Sequence, residues 1–300
     1  MRRLAGTPPP WTSDPVLAAY RFTNVYRAAD RVSQYLIRRV IYDGQQTADE
    51  IFFRTLLFKF FNRIETWDEL SAKADFPRWT SFDFERYASI LDAVFKRGAP
   101  IYSAAYIMPS PALGSRRKHR NHLRLLAQMI ADGVPSRLGR ARSLRAVFDA
   151  LRVYPSIGDF LAFQYTIDLN YSQLLDFTEM EFVMAGPGAR SGILRCFLDT
   201  AGFSDADVIR AVTERAEDEF SRLGLRFEKL WGRPLQLIDC QNLFCEVDKY
   251  ARVAHPELAS PSGRTRIKQK FVPKQAPLIQ WYPPKWGLSI PQSVGLGLAT

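Results

Sequence analysis

Leu151-Arg152-Val153-Tyr154-Pro155-Ser156-Ile157-Gly158-Asp159-Phe160-Leu161-Ala162 decides how the rest of the chain is read. One apolar helical pattern stops at Pro155, a short turn carries Ser156 and Gly158, and a second pattern resumes at Ile157. A helix-hairpin-helix is written apolar-Pro-Gly-Ile-Gly, two variable residues, a small or Thr residue, then Ala. Pro155, Ile157, Gly158 and Ala162 fit that pattern, and Ser156 stands where the first glycine belongs. A tight turn at a helix N-terminus aims backbone N–H groups outward, and glycine lets another backbone approach closely. Ser156 and Gly158 are therefore candidates for holding a DNA phosphate. The alternative is an ordinary corner between two helices, with Gly158 as a cap.

Outward from the hairpin, the chain reads as helix after helix. Ser143 to Leu151 and Ile157 to about Leu169 flank the turn, and Asn121 to Ile130 precedes them. Asp14-Pro15 is a capping carboxylate followed by proline at the first helical position, and helical spacing continues to about Tyr42. A run from Thr47 through Ile51-Phe52-Phe53 and Leu56-Leu57-Phe58 is apolar nearly all round, which predicts a central buried helix. Further helices are expected over Asp83 to Lys96, Asp205 to Arg222 with Ser204 as cap, and Asp239 to Val253; 109–118 reads as loop. There is no internal repeat and almost no period-two alternation. The expected fold is all-α, with a flexible leader over 1–13, a helical domain over 14–256 in one body or two lobes, and a basic, proline-containing tail over 257–300.

Composition narrows the function classes. Forty-seven per cent apolar residues, with 21 Phe and 12 Tyr, are ample for a buried core. Forty-one Lys and Arg against 31 Asp and Glu leave a formal charge of +10, which favours a polyanionic partner. Three cysteines, Cys196, Cys240 and Cys245, suggest no disulfide framework and are too few for a four-cysteine cluster. Cys240 and Cys245, or His119 and His122, have no evident complement of further ligands, so neither a metal nor a cofactor is expected. With no membrane-length apolar run and no apolar signal region, a cytoplasmic, monomeric chain is expected.

Helix-hairpin-helix glycosylases carry a catalytic Asp some twenty residues beyond the hairpin glycine, at the start of another helix. Asp176 stands 18 residues after Gly158. A carboxylate there would stabilise the sugar cation as a base leaves and activate a water; alternatively, Asp176 caps a helix beginning at Phe177. Glu181 and Asp168 stand behind it as acidic residues on or beside apolar segments, where pairing with Arg21, Arg27 or Arg54 is the structural reading. Asn24, Arg27 and Asp30 share one helical face by three-residue spacing and, with Asn170 and Tyr171, are candidates to line a base pocket. No lysine lies between Lys118 and Lys229, which disfavours a lysine-based lyase centred on the hairpin. Nine basic residues against one acid between Arg116 and Arg145, beginning with Arg116, Arg117 and Lys118, suggest a phosphate-tracking surface beside the hairpin.

Five separated stretches carry a family resemblance: Tyr20 to Arg27 with Asp30, Phe53 to Asn62, Gln164 to Ser172, Glu181 to Gly192, and Asp239 to Tyr250. They are similar to the alpha-glutamyl/putrescinyl thymine pyrophosphorylase family, which includes the helical domain attached to some hydroxymethyluracil DNA kinases. The resemblance implies a glycosylase-like helical fold associated with hypermodified pyrimidines in phage DNA. Both chemistries linked to the family need the nucleotide out of the stack. One is excision of a modified base, including in anti-phage defence; the other is transfer of an amino acid or polyamine onto an activated 5-hydroxymethyl pyrimidine. The sequence contains no Gly-x-x-x-x-Gly-Lys-Ser/Thr loop. Gly186, Gly188 and Arg190 read as a turn into a helix from Ser191, offering N–H groups to a phosphate or serving as a plain turn. The resulting expectation is a DNA glycosylase acting on DNA with modified pyrimidines, with transfer chemistry as the alternative.

Overall fold

A computed structural model describes residues 8, 10–105, 107–258, 263–272 and 280–291. Among them the fold is all-α, with extended pairing confined to two isolated bridges, Tyr20 with Lys270 and Leu230 with Arg233. In chain order the first helices are α1 (Pro15–Ala19), α2 (Arg31–Tyr35), α3 (Ala48–Phe61), α4 (Ile64–Ala74) and α5 (Phe84–Lys96). Then come α6 (Lys118–Ala131), α7 (Val134–Leu138), α8 (Leu144–Arg152) and α9 (Asp159–Asn170). The last are α10 (Pro187–Cys196), α11 (Asp205–Glu214), α12 (Ala216–Arg222) and α13 (Leu237–Ala254). The chain forms two units: one from residues 31–181, the other from the described residues of 1–30 and 182–300.

In the 31–181 unit the core is built around α3, whose side chains from Glu50 to Phe61 are all buried against α4, α6, α7 and α9. Its three buried charges each meet a specific partner, as the cost of burying an ion requires. The Glu50 carboxylate accepts from the Trp79 and Thr80 amides at 2.9 and 3.1 Å. The Arg54 guanidinium donates to the carbonyls of Val40, Ile41 and Gln45, closing the π-helical turn Leu36–Ile41 that extends α2. Lys59 lies 3.1 Å from Asp168 of α9. The helix α4 was not foreseen, because neither glycine nor proline separates it from α3. Asn62 reverses the chain instead, in the left-handed conformation at φ 49°.

In the other unit, α10 and α13 pack closely. A methyl group at Gly188 would lie 3.1 Å from the Cys245 sulfur, and one at Gly192 would fall on the backbone of Phe244. Arg195 of α10 reaches the buried Asp248 at 3.0 Å, and Asp248 also pairs with Arg252. Asp14 caps α1 as expected, accepting from the Val16 and Leu17 amides at 2.8 Å. The expected helix to Tyr42 is not formed: α1 stops at Ala19. The Arg21 amide donates to the Gln269 carbonyl, and the Phe271 amide to that of Ala19, so the backbone there pairs with a distant segment. Asn24, Arg27 and Asp30 consequently share no α-helical face. Asn24 accepts from the Tyr26 amide in a local turn, and Arg27–Ala29 is a short 3-10 helix.

Two further corrections concern the glycine segment and Asp176. The helix expected from Ser191 begins at Pro187, with Gly186 as its N-cap, so Gly188 and Arg190 are helical residues. Asp176 starts no helix, since residues 175–178 are irregular. Asn170 holds them there, its amide donating to the Phe177 carbonyl at 2.9 Å and its oxygen accepting from the Phe177 N–H at 3.0 Å. Those two backbone groups are thereby satisfied by a side chain rather than by a helical ladder. The leader expected over 1–13 and the tail over 257–300 fall partly outside the described residues.

Candidate nucleic-acid interface

The hairpin is built as a tight turn between α8 and α9. The Tyr154 amide donates to Leu151 and the Ile157 amide to Tyr154, at 3.3 and 3.2 Å. Ser156 adopts φ 66°, the left-handed conformation for which glycine is the usual choice. Ile157 and Leu161 are buried and anchor the turn, while Val153 is exposed at its tip. Gly158 is the N-cap of α9 and has no side chain to cap it. The first amides of any helix lack an acceptor four residues back, so this end carries outward-facing donors and the positive end of the dipole.

The hairpin connects directly to a basic surface. The Tyr154 hydroxyl donates to Asp132 at 2.9 Å and accepts from Arg137 at 3.5 Å; burial, then Asp132, raises its pKa. Arg137, Arg140 and Arg142 border an open depression whose apolar lining includes Leu138, Ala141, Ala146 and Ala150. Arg140 and Arg142 form no ion pair among the described residues, whereas Arg145 is bound to Asp149 at 3.1 Å.

The first half of the basic run, on which the sequence reading concentrated, is more engaged. Arg117 stacks on Phe95 at 4.2 Å and Lys118 lies over the Tyr102 ring at 4.0 Å, where burial lowers its pKa. Arg120 is held by Asp92 and Glu85 at 2.8 and 3.1 Å. Arg116 adjoins this engaged segment, just ahead of α6. Arg137, Arg140 and Arg142 belong to the same charge run; what sets them apart is the depression they border together and the contact of Arg137 with Tyr154 of the hairpin, which charge counting does not reveal.

The three carboxylate candidates lie in the 31–181 unit, in different surroundings. Asp168 is fully buried, and Lys59, its partner at 3.1 Å, also donates to the Asn62 side chain at 2.8 Å. Lys59 was not singled out from sequence, because only the packing of α3 on α9 brings it to Asp168. Asp176 is exposed, on a segment pinned by Asn170 and, one turn earlier, by the Tyr42 hydroxyl, which donates to the Tyr171 carbonyl at 2.9 Å. Burial and then the Asp176 charge push the Tyr42 hydroxyl up to about 12. Glu181 is exposed, its amide bonded to the Thr178 carbonyl at 3.2 Å. Asn170, Tyr171 and Asp176 thus belong to one pinned loop. Asn24, Arg27, Asp30, Gly186, Gly188 and Arg190 belong to the other unit. There the Arg27 amide donates to Asp239 at 2.8 Å, and Arg190 pairs with Asp205 at 3.1 Å.

Among the described residues, no group of three or more His, Cys, Asp or Glu is placed to hold a metal ion. No helix among them is long and apolar enough to cross a membrane.

Comparison with known proteins locates this architecture. The family described as "5-hmdU DNA kinase, helical domain" matches residues 1–260. The chain belongs to this family. All five stretches on which the resemblance was read lie inside the match. The 5-hmdU DNA kinase of Bacillus phage SP10 is 29% identical over 270 residues, covering 83% of this chain and 42% of that protein. The chain thus spans less than half the length of this kinase. No solved structure matches. The helical-domain match ends ahead of the described segments 263–272 and 280–291, which follow it in the chain.

Proposed function

We propose that this chain binds DNA carrying a modified pyrimidine, 5-hmdU being the base named for its phage relative, and acts on that base. The observation that carries the reading is the continuity of the hairpin with the basic depression through the Tyr154–Arg137 contact. The first amides of α9 suit one backbone phosphate, and Arg137, Arg140 and Arg142 suit its neighbours. Phosphate contacts position a protein on DNA, and selectivity for the modified pyrimidine then requires the base outside the stack.

Fluorescence anisotropy with duplexes containing either thymine or 5-hmdU tests this. Tighter binding of the modified duplex is expected, and Arg140→Glu/Arg142→Glu should weaken binding to both by at least tenfold at moderate salt. Equal affinity of wild type and this variant would remove the hairpin face from the reading.

The pinned loop favours excision as the chemistry. Asn170 and Tyr42 hold the segment bearing Asp176 at two points, as a carboxylate that must meet a sugar requires. In this step the N-glycosidic bond breaks with its electron pair leaving on the base, water oxygen bonds to the sugar C1′, and the water proton passes to Asp176, which returns it to the departing base anion. Free modified base and alkali-labile DNA, both lost in Asp176→Asn, are the expected products. New mass on an intact nucleotide, dependent on an added amine and an activated base, would assign transfer instead.

A further inference from the structure

The segment that follows the family match carries an ordered pattern of its own. Arg264-Thr265-Arg266-Ile267-Lys268-Gln269-Lys270-Phe271 places a cation at every second position, and no acid occurs from Leu258 to the end of the sequence. The segment contains no helix or turn. It pairs antiparallel with the residues after α1: Lys270 is bridged to Tyr20, the Arg21 amide donates to Gln269, and the Phe271 amide donates to Ala19. In extended backbone alternate side chains take opposite faces. Ile267, the buried member, belongs to the set opposite the cations, and Arg264, Arg266 and Lys268 are exposed.

A second described piece is also docked on the same unit. Tyr282 is buried, with its ring 5.6 Å from that of Trp231 and 6.0 Å from that of Trp286, and Arg233 lies 3.8 Å over Trp286. Trp231 adopts φ 47° ahead of Gly232, a left-handed conformation uncommon for so large a side chain, and its ring packs against that of Tyr282. The arm is therefore a surface fastened at Ile267 and Tyr282, and not merely a charged run in solvent.

We infer that this arm is a second nucleic-acid contact, with Arg264, Arg266 and Lys268 set along one strand's phosphates. Cations at every second position of an extended segment repeat about every 6.8 Å, on the order of the through-space separation of neighbouring phosphates along one DNA strand. A same-sign stripe with no acid beside it fits a uniform polyanion better than a protein surface, where charges of both signs would be needed. These contacts give affinity and salt dependence without reading the base. The inference rests on the proposal that the chain binds DNA, and it assigns a part of that binding to residues beyond the family match.

The test uses the full chain and measures DNA affinity across a salt series for wild type, Arg264→Gln/Arg266→Gln/Lys268→Gln and the charge-keeping Arg264→Lys/Arg266→Lys. Three phosphate contacts predict a plot of log K against log salt that is shallower by about 2–3 in the neutralised variant. Its preference for 5-hmdU over thymine should stay as in wild type, and the charge-keeping variant should keep the wild-type slope. If wild type binds DNA and the neutralised variant keeps its slope, the arm assignment falls while the DNA-binding proposal stands. If wild type does not bind DNA at any salt, both fall.

Discussion

Substitution of Gly192 by alanine is the sharpest probe of the α10–α13 contact. The added methyl would sit on the carbonyl oxygen of Phe244, 2.7 Å from its carbonyl carbon and 3.1 Å from its Cα, where ordinary contacts begin near 3.4 Å. The obstacle is main chain of a neighbouring helix, so no rotamer change relieves it. The helices must move apart, loosening Ala189 and Ile193, both buried at the same seam. Overpacking typically costs about 1–3 kcal/mol, and a backbone obstacle places Gly192→Ala at or above the upper figure, about 3 kcal/mol or more. Gly188, one turn earlier, supplies the control. Its methyl would meet the Cys245 sulfur at 3.1 Å, a side chain able to shift by a few tenths of an ångström. Gly188 is the second residue of α10, so replacing glycine there gains a fraction of the roughly 1 kcal/mol of a helix interior and offsets part of the crowding. Urea denaturation followed by far-ultraviolet circular dichroism measures both. Gly188→Ala should lie within about 1 kcal/mol of wild type, and Gly192→Ala should lose several times more. Wild-type stability in Gly192→Ala, or equal losses in the two variants, would refute the packing argument for the α10–α13 seam.

Three further outcomes are expected. Breaking the buried Lys59–Asp168 pair by Lys59→Met should cost about 3–5 kcal/mol, while Lys59→Met/Asp168→Leu recovers most of it; additive losses in the denaturation cycle would contradict the pairing. Asn170→Ala should cost about 1–2 kcal/mol and speed amide exchange over 171–178 with α8 and α9 still protected, whereas unchanged exchange would show that Asn170 does not hold the loop. His122, whose Nε2–H donates to Pro109 at 3.0 Å and whose Nδ1 accepts from Tyr102 at 2.8 Å, is pushed down by burial from 6.5 to about 4. The unfolded chain binds this proton first. The contribution is therefore complete above pH 6.5 and is lost as pH falls toward 4, by about 3 kcal/mol at roughly 1.4 kcal/mol per pH unit. His122→Gln keeps both hydrogen bonds and should flatten stability over that window; an unaltered pH profile would exclude His122 as its source.

How much of this was legible beforehand follows the range of the interactions involved. Helix starts at Asp14, Asp83, Ser143 and Ser204 rest on a side chain and amides two or three residues away, so the sequence alone specifies them. The burial of α3 was equally plain, because a helix apolar on every side has no face to offer water. Alternation in the tail is written in the sequence too, but its repeating element is charge, so a strand pattern defined by apolar residues does not show it.

What only the tertiary structure decided depends on partners distant in the chain. The end of α1 is set by Gln269 and Lys270, and nothing near Tyr20 announces them. Asp168 reads as an acid on an apolar segment and Asp176 as a carboxylate at catalytic spacing from the hairpin. Lys59 of α3 takes the first into the core, and Asn170 keeps the second on an exposed loop. Gly188 reads as part of a turn that offers N–H groups to a phosphate, until α13 is laid against it. Arg117 and Arg140 are equal as charges, but Phe95 occupies one and the other lines the surface that adjoins the hairpin. A cap closes its hydrogen bonds within one turn and is encoded locally. The role of a charge or a glycine is set by whichever remote group packing brings to it, and a linear sequence does not name that group.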